Sequence, residues 1–337
     1  MNRFDYVRPH TISDAIKALA TPASRVLAGG TNLVDLMKYD VDRPDCVVDI
    51  NRLPLREISE MADGGLRIGA LVSNSDLAWH ATVQARYPLL ASAILAGASP
   101  QLRNAATTGG NLLQRTRCYY FYDPSTACNK RDPGTGCSAI GGVNRIHAIL
   151  GASADCIAVH PSDMCVALAA IGAVVEVEGP NGKRSIPFHD FHRLPGSEPQ
   201  RDNTMREGEL ITGVVLPPAD FGAHYTYLKI RDRLSYAFAL VSVAVGLTLK
   251  ADTIEDARVA LGGVAHKPWR DDAAEAILKG QKPATPLFRQ FADQVLAEAK
   301  GQGENDFKIE LARRAIVRAL HQAAAGTPQD QSNKSVQ

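Results

Sequence analysis

Apolar and polar positions alternate along the chain in short runs of two periods, one helical and one strand-like, and together they predict a mixed α and β protein. Behind Thr11, TISDAIKALA has helical spacing with Asp14 three residues on, a capped short helix. SRVLAGGTNLVDLMKYDVDRPDCVVDI then reads as strand (Arg25 to Ala28), glycine turn, amphipathic helix (Asn32 to Tyr39) and strand (Cys46 to Ile50), a small βαβ-like unit. Leu66 to Val72 is an apolar strand, Ser73 or Asn74 caps a helix through Trp79, and YPLLASAILAGAS is an apolar helix leading into Gln101 and Arg103. HPSDMCVALAAIGA predicts a helix with Pro161 in its first turn and Ser162 and Asp163 near its start. AVVEVEGPNGKRSIPF reads as a hairpin turning at Asn181-Gly182, and ELITGVVLP as a further strand.

Proline and glycine signals between Pro217 and Gly222 mark a linker. Beyond it HYTYLKIRDR, FALVSVAVGLTLK and ARVALGGVAHKPWR form a β-meander, followed by helices at Asp271 to Leu278, Pro286 to Lys300 and Asn305 to Ala324. The division expected is 1–55, 56–218 and 223–325, with a disordered tail over 326–337.

Two glycine turns change the picture from fold to chemistry. Gly29-Gly30-Thr31-Asn32 joins a strand to a helix, where backbone N–H groups can hold a phosphate. Thr107-Thr108-Gly109-Gly110-Asn111 is a second such turn, and one diphosphate needs donors from more than one side. Neither turn has the G-x-G-x-x-G or Walker A form, which argues against an ordinary dinucleotide fold and against phosphoryl transfer. A tight strand-to-helix turn with no ligand is the competing reading of the first.

The 337 residues are 45% hydrophobic, enough for two or three packed units. A net charge of +1 with mixed signs gives no basic stripe for nucleic acid or an anionic membrane. No apolar run reaches the roughly 18 residues of a membrane span, and the N-terminus lacks a signal-peptide apolar region. Synthesis in the cytoplasm without an export signal is expected, and export bound to a signal-bearing partner stays open.

Six cysteines are too few for a disulfide scaffold. Four of them, Cys118, Cys128, Cys137 and Cys156, share one loop-like segment with spacing C-x9-C-x8-C-x18-C. Four thiolates suit a tetrahedral zinc or a 4Fe-4S cluster, although no C-x-x-C pair is present. Arg103, Arg115, Arg117, Lys130, Arg131 and Arg145 surround them and would offset a cluster's negative charge. Separate core or surface cysteines are the alternative. Cys46 and Cys165 read as small core residues, and His147 and His160 as alternate metal ligands. Tyr119, Tyr120, Phe121 and Tyr122 read as packing for the cysteine loop.

AGGTNLVDLMK, ATTGGNLLQ, HPSDMCVALAA and YLKIRDRLSYAFALVSVAV together resemble the FAD-binding subunits of molybdenum hydroxylases, the xanthine dehydrogenase family, over nearly the whole chain. The cysteine segment is similar to the insertion, at about 115–157 here, by which the flavin subunit of bacterial periplasmic aldehyde oxidoreductase binds an additional 4Fe-4S cluster. The resemblance implies an α+β fold of the vanillyl-alcohol oxidase flavin type, two subdomains clasping FAD, then a C-terminal three-stranded antiparallel sheet with helices. It implies that Leu27, Ala28, Gly29, Gly30, Thr31, Asn32, Leu33 and Val34 wrap the pyrophosphate, with Thr108, Gly110 and Asn111 closing on it. Arg103 joins the cofactor site, Asp163 binds the flavin's polar chain, Leu194 packs near the ring, and Lys229 lies near the isoalloxazine. The cluster ligands implied are Cys118, Cys128, Cys137 and Cys156.

By the same resemblance the chain carries no substrate-activating residues. A molybdenum-cofactor subunit oxidises an aldehyde or N-heterocycle, a 2Fe-2S subunit relays electrons, and the FAD here passes them to an external acceptor. A stand-alone flavin oxidase of the same fold and a zinc-holding structural scaffold are the competing readings.

Overall fold

The computed structural model describes residues 1–218 and 221–331 and arranges their strands in three sheets. The first holds β1 (Asp5–Val7), β2 (Ser24–Leu27) and β3 (Cys46–Asp49) in the order β1-β3-β2, both pairings parallel. Parallel neighbours need crossovers. The helices Ile12–Leu19 and Leu33–Lys38 supply them, the first capped by Thr11, whose hydroxyl accepts from the Asp14 N–H at 3.1 Å. All four residues of central β3 are buried, Cys46, Val47 and Val48 as an apolar run and Asp49 with its carboxylate accepting from the Asn51 N–H at 2.9 Å and from the Tyr6 hydroxyl.

The second sheet is antiparallel, with β4 (Ile58–Glu60), β5 (Leu66–Gly69), β6 (Val174–Gly179), β7 (Gly182–Pro187) and β8 (Leu210–Leu216) in the order β4-β5-β8-β6-β7. Gly179 pairs with Gly182, so the hairpin loop is Pro180-Asn181, and the turn expected at Asn181-Gly182 lies one residue earlier. The long excursion between β5 and β6 carries the second glycine turn, the cysteines and the helix Asp163–Ile171.

That helix is buried at every position. Ser162 is its cap, its hydroxyl accepting from the Cys165 N–H at 3.0 Å, which leaves Pro161 before the cap and not in the first turn. Gly172, at φ +78°, ends the helix in the left-handed conformation.

The third sheet has β9 (Tyr225–Ile230), β10 (Val241–Lys250) and β11 (Thr253–Gly262) as the expected meander, plus a two-residue edge strand β12 (Trp269–Arg270). Its alternating residues face two cores. Val243, Val245 and Leu247 pack with Phe288, Ile316 and Leu320 of the C-terminal helices Thr285–Val295 and Phe307–Ala324. Tyr227, Ala244 and Ala260 face the other way, into the core that holds Val166 and Leu168. Lys229 shares the Tyr227 side of β9 by the two-residue period, so the fold carries it to the start of the helix Asp163–Ile171.

Buried Lys308 ties the cysteine segment to the C-terminal helices, donating to the carbonyls of His147 at 2.7 Å and Gly263 at 2.6 Å. Of the tail expected to be disordered, positions 332–337 lie outside the described residues. Gln329 and Gln331 instead run along β9, their nitrogens donating to Thr226 Oγ1 at 2.9 Å and Tyr227 O at 3.0 Å. The expected linker at Pro217 to Gly222 includes positions 219 and 220, which also lie outside the described residues.

Candidate cofactor site

The chain leaves β2 at Leu27 and turns through Ala28 to Asn32 before the next helix begins at Leu33. Gly30 has φ +71°, a conformation a side chain resists, and a Cβ on Gly29 would overlap the carbonyl oxygen of Ala105. The turn is therefore pressed against the end of the helix Pro100–Ala105. The N–H groups of Gly29, Gly30, Thr31, Asn32 and Leu33 have no hydrogen-bond acceptor among the described residues. Such a run of free donors is a nest for an anion. Asn32 fixes the turn from its far side, its Oδ1 accepting from the Arg115 N–H at 2.9 Å.

The second glycine turn works differently from the sequence expectation. It forms a short helix, Thr108–Leu112, capped by Thr107. Its N–H groups are engaged: Thr108 to Val72 O at 2.9 Å, Gly109 to Ala70 O at 2.8 Å, Gly110 to Thr107 Oγ1 at 3.3 Å and Asn111 to Thr107 O at 2.8 Å. The Thr108 hydroxyl is also turned inward, donating to Val72 O at 3.1 Å. This turn therefore supplies a close wall, through Gly110 and the Asn111 side chain, while the first supplies the donors.

Two cavities meet at these turns, of about 400 and about 370 Å³, and they share Thr31, Asn32 and Gly110 on their walls. The first extends past Ser24, Val26 and Ile50 toward Met205 and Leu210. The second extends past Arg103 and Asn111 to Asp163, Lys229 and the loop residues Tyr236 and Phe238. A trench with an anion nest at its middle and a chamber at each end matches a dinucleotide, with a pyrophosphate between two ring systems.

At the far end of the second chamber Asp163 accepts from the Tyr227 hydroxyl at 2.6 Å and from Lys229 Nζ at 2.8 Å. Lys229 donates also to Ala96 O at 3.1 Å, and the charged ends of the pair are 2% and 9% exposed. Burial, reinforced by the Asp163 carboxylate, raises the Tyr227 phenol well above its ordinary value and keeps it a donor. Lys229 and Asp163 thus hold each other in the chamber wall. Replacing Lys229 by Met leaves a buried carboxylate with one neutral donor, and a loss of about 3–5 kcal/mol of folding stability is expected. Chemical unfolding of the two proteins tests this, and coincident midpoints would show that the pair is not the buried unit described.

Arg103 lines the same chamber and donates to Gly97 O at 2.7 Å, with its Nε buried and unpartnered. Leu194 is not brought to these residues. It is 39% exposed and stands over Gly151, where a Cβ would meet its side chain at 2.7 Å. Tyr227 escaped the sequence reading, although its place two residues before Lys229 on one strand is the signal that finds it.

Cys118, Cys128, Cys137 and Cys156 all line one small cavity with Phe121 and Lys130. Cys128 and Cys137 face each other across an isolated antiparallel bridge, and no cysteine of the described residues is in a disulfide. His147 Nε2 lies 3.0 Å from Cys118 Sγ, and the Ala158 N–H donates to Cys156 Sγ at 3.5 Å. Burial pushes the Cys118 thiol up to about 12 and Cys156 up to about 11. As bare thiols they hold their protons at neutral pH, and a bound cation is what would convert them to thiolates.

The expected basic surround is present but largely engaged. Lys130 and Arg115 both pair with Asp202, Arg131 donates to the carbonyls of Tyr120, Phe121 and Asp123, and Arg145 pairs with Asp232. Asp202, far off in sequence, had no signal that linked it to this segment. Cys46 lies in β3 and Cys165 in the helix Asp163–Ile171, both away from the cavity of four cysteines.

Fold and trench together define a flavin-binding chain of the molybdopterin enzymes. The chain belongs to the family described as "FAD binding domain in molybdopterin dehydrogenase", which matches residues 2–219, and residues 224–323 match the "CO dehydrogenase flavoprotein C-terminal domain". It is 50% identical over 327 residues to the aldehyde oxidoreductase FAD-binding subunit PaoB of Escherichia coli, covering 96% of this chain and 99% of that one. It is 28% identical over 326 residues to the glyceraldehyde dehydrogenase medium chain of Sulfolobus acidocaldarius, covering 95% and 98%. Among solved structures, a chain of carbon monoxide dehydrogenase from Hydrogenophaga pseudoflava superimposes with a TM-score of 0.75 at 28% identity, covering 96% and 98%. No described helix is long and apolar enough to cross a membrane.

Proposed function

We propose that this chain is the electron-transfer subunit of a molybdenum-dependent aldehyde oxidoreductase, holding FAD in the trench and a 4Fe-4S cluster among its four clustered cysteines. The observation that carries the flavin reading is the row of free N–H groups from Gly29 to Leu33 at the junction of two chambers. Bound there, FAD supplies a two-electron store that can be filled and emptied in single steps.

The chain's own residues bind and orient it. The N–H groups of Gly29 to Leu33 neutralise the pyrophosphate, and Gly110 lets the second turn approach it without a side chain. Asn111, Asp163 and Arg103 face the polar chain and ring from the second chamber, and Lys229 adds a cation there, with Asp163 fixing its position. In this reading the trench lies between 1–55 and 56–218, and 223–325 closes its Lys229 end. Leu194 reaches the ring only if its loop shifts from Gly151 on binding.

Convergence of the four cysteines on one cavity supports the cluster, and His147 Nε2, 3.0 Å from Cys118 Sγ, would in its Nε2–H tautomer donate to that sulfur as a thiolate ligand. The 50% identity to an aldehyde oxidoreductase subunit over nearly both chains supports an aldehyde as the substrate of the complex, oxidised on a molybdenum-cofactor partner. A 2Fe-2S partner then delivers the electrons, and an external acceptor removes them.

Stopped-flow mixing of an anaerobic purified complex with an aldehyde tests the assignment. Loss of the flavin absorbance is expected only when the molybdenum partner is present. Equal bleaching of a complex lacking that partner would favour a stand-alone flavin oxidase.

A further inference from the structure

His160, Cys165 and His192 form a second candidate ligand set, separate from the cavity of four cysteines. One ring nitrogen from each histidine and the Cys165 sulfur lie within 4.8 Å of one another. Chain topology brings them together: His160 precedes the Ser162 cap, Cys165 is the third residue of the helix that follows, and His192 ends the short helix Phe188–Phe191. All three are at least nine-tenths buried. The imidazoles stand with centroids 4.3 Å apart at 55°.

Their hydrogen bonding leaves one buried nitrogen of each ring without a partner. His192 Nε2 donates to Leu112 O at 2.9 Å, which fixes the tautomer and leaves Nδ1 bare, and Nδ1 has no partner. His160 Nε2 is also buried without a hydrogen-bond partner; its Nδ1 accepts only a long bond from the Ser162 N–H at 3.4 Å, and ligation through Nε2 moves the ring proton to Nδ1 at the cost of that contact. Buried polar atoms are rarely left in that state, and here two of them sit beside a thiol.

We propose that these three residues bind a transition-metal ion, Zn²⁺ in the first place. Two imidazoles and a thiolate with no carboxylate suit a borderline-soft ion and not Mg²⁺ or Ca²⁺. Bonds of about 2.0 to 2.3 Å set tetrahedral ligand atoms roughly 3.3 to 3.8 Å apart, so the three atoms must draw together on binding. Cys165 gives up its proton to solvent on binding, and its sulfur lies in the first turn of a helix that favours negative charge. The carbonyl of Leu112 holding the second face of His192 is the outer-shell arrangement usual for a metal-bound histidine. His160 also borders a third cavity of about 300 Å³, which has room for a water as fourth ligand. The ion would brace the flavin trench from behind, because Ser162 hydrogen-bonds Asn111 and Leu112 ends the second glycine turn.

Metal analysis and zinc-edge X-ray absorption on the intact complex, incubated with Zn²⁺ and then desalted, test the proposal. One zinc per chain with a shell of one sulfur and two or more nitrogen or oxygen neighbours is expected. Zinc should persist in Cys128→Ser and disappear in Cys165→Ala and in His192→Phe, with FAD content as the check on folding. Substoichiometric zinc, a shell of four sulfurs, or zinc unchanged in Cys165→Ala would overturn it. Should the variants lose zinc and FAD together, the wild-type absorption shell alone decides.

Discussion

Replacing Gly29 by Val is expected to abolish flavin binding while the chain still folds. Any Cβ at this position overlaps the Ala105 carbonyl oxygen, a backbone atom, so no side-chain rotation relieves the clash. Ala105 cannot retreat easily, since Ala106 is anchored to Leu102 O at 2.8 Å and Ser99 caps the same helix. The glycine turn must move instead, and with it the free N–H groups aimed at the trench. A hydrogen bond to a charged group contributes about 1.5–3 kcal/mol, so losing two of them weakens binding by roughly a hundredfold to ten-thousandfold. Gly110→Ala provides the contrast. Its Cβ would meet only the Thr107 hydroxyl, at 3.0 Å, and a smaller loss is expected. Flavin absorbance per chain, with equilibrium dialysis against FAD, measures both, and full flavin in Gly29→Val would mean that this turn does not contact the cofactor.

Replacing Cys128 by Ser is expected to remove the 4Fe-4S cluster and leave FAD in place. Cys128 is buried in the wall of the four-cysteine cavity and bridges to Cys137, so a serine there presents a hard oxygen where a soft thiolate is needed. The flavin should survive because the polar link from this segment to the first glycine turn runs through Asn32, which bonds to the Arg115 N–H and the Tyr122 hydroxyl and not to the cysteines, and a serine at 128 leaves the packing of Leu36 against Phe121 in place. The same loss is expected from Cys118→Ser, Cys137→Ser and Cys156→Ser, and none from Cys46→Ser. Iron beyond the partner's 2Fe-2S content, with electron paramagnetic resonance of the reduced complex, measures it. Unchanged iron in all four variants would show that the cavity holds no cluster.

The regular elements were legible because their signals are local. Thr11 with Asp14, Ser73 with Asp76 and Ser162 with Cys165 are caps that sequence spacing displays, and each closes as a hydrogen bond. The first glycine turn was readable for the same reason, lying between a strand and a helix a few residues apart. The second differs in its chemistry from the sequence expectation: Thr107 takes the Gly110 and Asn111 N–H groups locally, but those of Thr108 and Gly109 are taken by Val72 and Ala70, partners nearly forty residues upstream that no local pattern indicates. Lys229 and Asp163 were each found through a resemblance, but their pairing depends on the third sheet lying against the helix Asp163–Ile171 through β10 and β11, which brings Lys229 on β9 to the helix start. Cys165 and His192 were read as core or left unremarked because the meeting of residues 160, 165 and 192 is made by tertiary packing alone.

The cofactor content of the protein as it occurs in its complex tests the flavin and cluster assignments most directly. An absorption spectrum with flavin and iron analysis on anaerobically purified complex should give about one FAD and about four iron atoms per chain beyond those of the partners. A chain that reaches the complex with neither flavin nor iron of its own would contradict both.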